Sequence, residues 1–202
     1  MDTLLNIETV LITRRTVVRR FRESEGAALF ELTRTNAELL QDLHPAVLPG
    51  FARAEEAEIF VRKSLAAWLL QESYQFAIWD KESATMIGYI AFDPIDWALP
   101  KSRLRGFIGT NQQASGLMSE VLEVMLPLGF IQLGLDKISL EVGTENVAAH
   151  RLARRFGFVR EGDLRGEYRK ASGEPFDVAL FGLTKNLSNP HPGKNASSRY
   201  YR

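Results

Sequence analysis

At 202 residues, 45% of them hydrophobic, the chain can bury one sizeable core and fits a single compact domain better than two. Lysine and arginine total 25, and aspartate and glutamate also total 25, so overall charge supports neither a nucleic-acid partner nor a membrane surface. With no cysteine, a disulfide scaffold and a Cys-ligated zinc site are excluded, and a reducing cytoplasm is the compatible compartment.

The first ten residues, MDTLLNIETV, carry acids and no basic segment leading into a long apolar one. No apolar run approaches the roughly 20 residues of a spanning helix, which predicts a soluble, cytoplasmic protein. TVLITRRTVVRRF alternates apolar and charged residues and predicts one or two strands, with the arginines as their solvated side. Residues 23–40 read as one helix with Leu29, Leu32 and Leu39 or Leu40 as its apolar stripe, broken by His44-Pro45 and Pro49-Gly50. A second helix is predicted over 54–70, turning Ile59, Leu65, Trp68 and Leu69 to the core. YQFAIWD and TMIGYIAFD, separated by residues 81–84, predict a β-hairpin, and SRLRGFIGT a further strand.

The second half alternates. A helix from residue 116 precedes the strand KISLEV, a helix over 146–156 follows, and strands close the chain near FVREG and FDVALFGL. This alternation predicts a strand-helix-strand crossover onto a shared sheet, a mixed α/β (α+β) fold. Residues 1–185 form one domain, and the Pro/Gly/Ser-rich residues 186–202 read as a flexible tail.

The stretch NQQASGLMSEVLEVM changes from small polar residues around Gly116 to a run rich in leucine, valine and methionine. A polar loop feeding a helix N-terminus exposes unpaired backbone N–H groups where the helix dipole adds positive potential, so phosphate oxygens could be held there without a basic side chain. An ordinary strand-to-helix connection is the competing reading. The spacing matches neither the nucleoside-triphosphate loop nor the dinucleotide fingerprint.

Gln113-Ala114-Ser115-Gly116-Leu117-Met118, followed by Ser119-Glu120, resembles the Q/R-x-x-G-x-G/A pyrophosphate loop of the GNAT acetyltransferase superfamily. Its closest form is that of the RimJ/RimL-like, ribosomal-protein-alanine acetyltransferase branch. Asn146-Val147-Ala148-Ala149 leading to Arg155-Phe156-Gly157-Phe158 is similar to that branch's N-x-x-S…(K/R)-L-G-F helix. Glu161 to Arg165, Tyr168 and Asp177 to Phe181 look like its closing strands, and Thr13 to Arg19 like its opening T-E-R-L-x-L-R strand. These segments run in the family's order over roughly residues 12–184.

The resemblance implies a central mixed sheet of about seven strands flanked by helices and splayed in the middle to admit CoA. Backbone groups around Phe107, Ile108 and Gly109 would hydrogen-bond the pantetheine arm of acetyl-CoA, with one strand amide there holding the developing oxyanion. The loop Gln113, Ala114, Ser115, Gly116, Leu117 and Met118 would cradle the pyrophosphate through its amides, and the Asn146 side chain would contact the CoA arm where the strands part. Leu117, Val121, Val124 and Leu128 would seat the following helix on the sheet, and Pro127 should kink or end it. Arg151, Arg154 and Arg155 share a helix face that either reaches the CoA 3′-phosphate or is solvated surface.

Two departures concern the cradle. Ala114 stands where the family usually has glycine, which restricts the backbone, and Ser115 stands where a basic residue is common, so binding would lean on backbone donors. The implied activity is direct acetyl transfer from acetyl-CoA to a primary amine, either a protein N-terminal α-amine or a small-molecule amine. No metal is called for. Only the free base of the amine attacks, so a carboxylate near the thioester would serve as general base. Glu141 is the first candidate, five residues before Asn146, and strand alternation turns it either to the substrate side or into a buried ion pair; Glu167 is the second. The usual proton donors to the leaving thiolate are replaced by Ala149 and Ala153, which keeps open a reading as an acyl-CoA-binding module with little turnover. His44, in LQDLHPAVLPG, and Trp97 would border the acceptor cleft. Symmetric dimers are frequent in the branch, which leaves a homodimer open.

Overall fold

The computed structural model describes residues 7–42, 48–170 and 172–185. His44 and the tail at 186–202 lie outside them. Eight strands form one mixed sheet: β1 (Val10–Ile12), β2 (Thr16–Arg20), β3 (Tyr74–Asp80), β4 (Met86–Asp96), β5 (Lys101–Ile108), β6 (Lys137–Gly143), β7 (Val159–Arg169) and β8 (Pro175–Thr184). Their order is β1-β2-β3-β4-β5-β6-β8-β7, with β5–β6 the one parallel pair and all others antiparallel. The sheet therefore has eight strands where about seven are expected, because TVLITRRTVVRRF turns at Thr13–Thr16 and splits into β1 and β2.

The helices are α1 (Gly26–Thr35), α2 (Ala37–Asp42), α3 (Ala54–Leu69), α4 (Leu117–Pro127) and α5 (Val147–Arg155). Helices α1 and α3 cover one face through Phe21, Leu29, Leu32, Ala57, Val61, Ala77, Tyr89, Ala91 and Phe107. Helix α4 covers the other with Val121, Leu122 and Met125 against Val18, Phe76, Ile78, Phe92 and Leu104. Each fully buried aliphatic side chain of this kind contributes about 1.5–3 kcal/mol. A side chain at Gly26 would overlap the Glu58 backbone, so this glycine sets the close approach of α1 to α3.

Three details depart from the expected elements. The single helix over 23–40 is two, broken at Asn36, whose side-chain N–H donates back to Leu32 O at 2.8 Å. Thr33 and Thr35 hydroxyls also bond to carbonyls in the preceding turn, and such competition bends or ends helices. In α3 the core stripe is Ala57, Val61, Ser64 and Trp68, whereas Ile59 and Leu69 are 53% and 77% exposed. Helix α4 ends at Pro127, which lacks the N–H needed to continue it, and the chain passes into one π-helical turn, Leu128–Gln132.

Candidate functional site

Strands β5 and β6 pair only at Lys101–Lys137, Ser102–Ile138 and Arg103–Ser139. Beyond those residues β5 stays paired to β4 as far as Ile108, and β6 stays paired to β8 as far as Gly143, so the sheet opens into a fork. Gly109 N–H donates to Ile87 O at 2.8 Å, across β4. The two-residue alternation of an antiparallel ladder then directs the Phe107 N–H toward β4 as well, and leaves Gly106 and Ile108 facing the fork. Of the three backbone positions expected there, Ile108 is the one that presents its main chain, and Gly106 joins it.

The forked strand leads directly into the loop. Asn36, buried between α1 and α2, accepts from Thr110 N–H at 2.7 Å and from the Thr110 hydroxyl at 3.1 Å, which fixes where β5 ends. Gln113 N–H closes a turn onto Thr110 O, which withdraws it as a main-chain donor. The amides of Ala114, Ser115, Gly116, Leu117 and Met118 have no acceptor among the described residues. Residues 113–116 are exposed, while Leu117 is buried and anchors the helix behind them. The turn needs two left-handed residues, Gly116 at φ 81° and Ala114 at φ 56°. Glycine adopts that region freely and alanine does so under strain, which is the physical cost of the family departure at Ala114.

Glu120, in the first turn of α4, ties the loop to the β1–β2 turn. Its carboxylate accepts from Arg15 Nε at 2.8 Å, Arg15 N–H at 3.1 Å, Thr13 Oγ1 at 3.1 Å and Arg14 Nη2 at 3.3 Å. Burial pushes this carboxyl up, but the Arg15 and Thr13 hydrogen bonds and the Arg15 charge outweigh it and hold it below the usual range.

Glu141 sits two residues past the last β5–β6 pair, in the crotch of the fork. It takes the ion-pair option: Arg103 Nη2 lies 2.8 Å from Oε1, Tyr168 donates its hydroxyl to Oε2 at 2.7 Å, and the Glu141 side chain is 4% exposed. Burial, then the hydrogen bond to Glu141 and that residue's charge, push the Tyr168 hydroxyl up to about 12, against the opposing charge of Arg103. Glu167 is exposed on β7, one residue away. Asn146 caps α5, its Oδ1 accepting from Ala149 N–H at 3.0 Å, while its side-chain N–H₂ has no acceptor among the described residues. Ala153 is buried, and Arg151, Arg154 and Arg155 are exposed without an ion pair to a described residue. Trp97 lies in the β4–β5 turn, beside the paired end of the fork, with Nε1 donating to Gln71 O at 2.7 Å; this is the end opposite the loop.

Sequence reasoning gave no role at the site to Arg15, Asn36, Arg103 or Tyr168, although Arg15 and Tyr168 lie in segments that resemble the family's strands. The first two act on the loop from about 100 and 74 residues away, a separation to which periodicity is blind. Arg103 and Tyr168 carried one signal, an alternation that puts them on the same sheet face as Glu141.

The family described as acetyltransferase (GNAT) domain matches residues 15–159. The uncharacterized N-acetyltransferase p20 of Bacillus licheniformis is 32% identical over 114 residues, which span 56% of this chain and 64% of that protein. The uncharacterized N-acetyltransferase YoaA of Bacillus subtilis (strain 168) is 27% identical over 180 residues, 87% of this chain and 97% of that one. Among solved structures, RimL, a ribosomal L7/L12 alpha-N-protein acetyltransferase in complex with coenzyme A, superposes with a TM-score of 0.78. It is 20% identical in sequence, and the match covers 88% of this chain and 98% of RimL, which is a likeness of fold.

Proposed function

This chain belongs to the acetyltransferase (GNAT) family and is an N-acetyltransferase, and from that premise we propose that it is of the RimJ/RimL-like kind and that its acceptor is the N-terminal α-amine of a protein. The observation that carries the cosubstrate assignment is the run of five amides at 114–118 without an internal acceptor, at the end of a strand that has left its neighbour. The fork admits an extended arm, and the amides present converging donors to a diphosphate at a helix N-terminus. Acetyl-CoA supplies an acetyl thioester, activated toward amines.

In this reading Gly106 and Ile108 offer main-chain groups to the pantetheine arm. The amides of Ala114, Ser115, Gly116, Leu117 and Met118 take the diphosphate, and the Asn146 side-chain N–H₂ reaches the arm from the N-terminus of α5. An α-amine with a pKa near 8 is about one-tenth free base at neutral pH, so a group that accepts its proton helps. Glu141 is that group, directly or through one water. Its two oxygens are already engaged by Arg103 and Tyr168, so positioning of the thioester against the amine carries much of the rate. Exposed Glu167 is a second acceptor of the proton on its way to solvent. The support for a protein α-amine over a small amine is the fold shared with RimL. The reaction as proposed runs in the cytoplasm and needs no metal, nucleic acid or membrane; no helix of the described residues is long and apolar enough to cross one.

The test is thiol release from acetyl-CoA with a panel of peptides bearing free N-termini, the same peptides blocked at the N-terminus, and small amines. Release with free peptides alone is the expected result. Release only with small amines would move the acceptor to that class, and none with any acceptor would end the reading.

A further inference from the structure

The loop at 113–118 carries no basic side chain of its own, yet a guanidinium stands beside it. Arg15, in the turn between β1 and β2, donates from Nη2 to Ser115 O at 2.8 Å and from Nε to Glu120 Oε1 at 2.8 Å. The same Nη2 lies 3.6 Å from where a side chain at Gly116 would begin. Nη1 has no acceptor among the described residues, and the side chain is 36% exposed. Two arginines, Arg14 and Arg15, share the single carboxylate of Glu120, so the group carries one net positive charge, two minus one.

We propose that Arg15 is a cosubstrate-binding residue: its guanidinium, reaching the loop from the opposite end of the fold's sequence, supplies the cationic donor to the CoA diphosphate that Ser115 cannot. This rests on the acetyl-CoA reading above and adds to it a residue from outside the loop. The geometry makes the role specific. Nε and Nη2 are committed to Glu120 and Ser115, which fixes the guanidinium plane against the loop, and Nη1 extends the row of unengaged amides by two further N–H donors. Glu120 has a double effect in this arrangement. It orients Arg15, and it places a negative charge near the same diphosphate.

The experiment measures CoA affinity by calorimetry, and KM for acetyl-CoA and for S-acetylpantetheine, which lacks the diphosphate, in the wild type, Arg15→Met, Arg15→Lys and Glu120→Gln. Arg15→Met should weaken CoA binding by roughly tenfold to a hundredfold, the value of a hydrogen bond between charged partners, and leave KM for S-acetylpantetheine unchanged. Arg15→Lys, which keeps the charge without the fork, should fall between. Arg15→Met and Glu120→Gln break the same ion pair and should both lower the melting temperature, yet Glu120→Gln keeps an amide oxygen that can orient Arg15 and removes only the negative charge, so it should bind CoA more tightly at low salt where Arg15→Met binds it more weakly. A purely structural pair would make both variants lose affinity for CoA and S-acetylpantetheine together, and that result overturns the proposal. Adding Ser115→Arg to Arg15→Met should restore part of the lost affinity; no restoration also counts against it. If the wild type itself fails to bind CoA, the acetyl-CoA reading fails first, which separates the two conclusions.

Discussion

Tyr168 and Glu141, 27 residues apart, meet across β8 with a hydroxyl-to-carboxylate hydrogen bond of 2.7 Å, and Arg103 closes the other side of the carboxylate at 2.8 Å. The Tyr168 hydroxyl is pushed up to about 12, by burial first and then by the hydrogen bond to Glu141 and its charge. If Glu141 takes the amine proton as proposed, the part of the shift due to its charge is lost, which would make Tyr168 a better proton donor to the leaving thiolate. We therefore predict that Glu141→Gln lowers kcat by roughly a hundredfold or more with CoA affinity retained, and that Tyr168→Phe lowers kcat with little change in KM. Steady-state kinetics with calorimetric CoA titration checks both. A Glu141→Gln enzyme with wild-type kcat would remove Glu141 from the chemistry.

Ala114 holds a left-handed conformation at φ 56°, which for a residue with a Cβ is unfavourable by about 1–2 kcal/mol. Ala114→Gly relieves that strain but also frees the unfolded chain, so the net gain should be about 0.5–1 kcal/mol. A melting temperature raised by roughly 1–4 °C, with CoA affinity equal or higher, is the expected outcome. A lowered melting temperature would mean that the loop does not hold this turn in solution.

How far the fold was readable depended on whether the signal was local. The apolar runs YQFAIWD and TMIGYIAFD and the segment KISLEV carry their strand signal locally, and those strands form where expected. The fork leaves no such trace, because it consists of pairing that stops after Arg103 and Ser139 while the side-chain pattern continues unchanged. The Gly116 loop was legible through its motif, but the arginine beside it was not, since alternation describes Arg15 equally well as a solvated strand residue. In α3 the helical period was correct and the phase was wrong: Ile59 and Leu69 suit a core face as well as Val61 does, and only packing against β3 decides. The break at Asn36 follows from a side chain that competes with the helix and is held by Thr110, a partner no window of local sequence contains.

Asn36 links the α1–α2 junction to the start of the loop at 113–118 through Thr110. Asn36→Ala leaves the Thr110 N–H without its acceptor and should destabilise the protein by about 1–3 kcal/mol. Because the loop depends on where β5 ends, KM for acetyl-CoA should also rise while KM for the acceptor changes less. Equal rises in both would assign Asn36 to general stability.

The Tyr74 hydroxyl is buried with no hydrogen-bond partner among the described residues, and burial pushes it up to about 12. Tyr74→Phe removes an unsatisfied group and keeps the ring that packs edge-on against Trp68, so stability should rise by about 1 kcal/mol. The sign of its pH dependence follows from the raised pKa. The unfolded tyrosine ionises near its ordinary value of 10.0, the folded one not until about 12, so stability is complete below pH 10 and falls as pH rises between them. Chemical denaturation at neutral pH, and at several values above pH 10, should show Tyr74→Phe both more stable and less sensitive to alkali; a less stable variant would reveal a partner for the hydroxyl.

Acid should act through Glu120. Its carboxyl is held below the usual 4.5 by Arg15 and Thr13, so in the unfolded chain it takes up a proton before it does in the folded one. The stability it contributes is therefore fully present above pH 4.5 and is lost as pH falls from there through the lowered folded value. Glu58 and Asp80 are also held low and titrate in the same direction, which makes the difference between two proteins the informative quantity. Glu120→Gln should be less stable than the wild type at pH 7, and the gap should close as pH falls below 4.5, where both side chains are neutral. Urea denaturation of both proteins across that range gives the curves. If the gap persisted undiminished in acid, the carboxylate charge would not be what binds the β1–β2 turn to α4, and the orientation of Arg15 over the loop would need another cause.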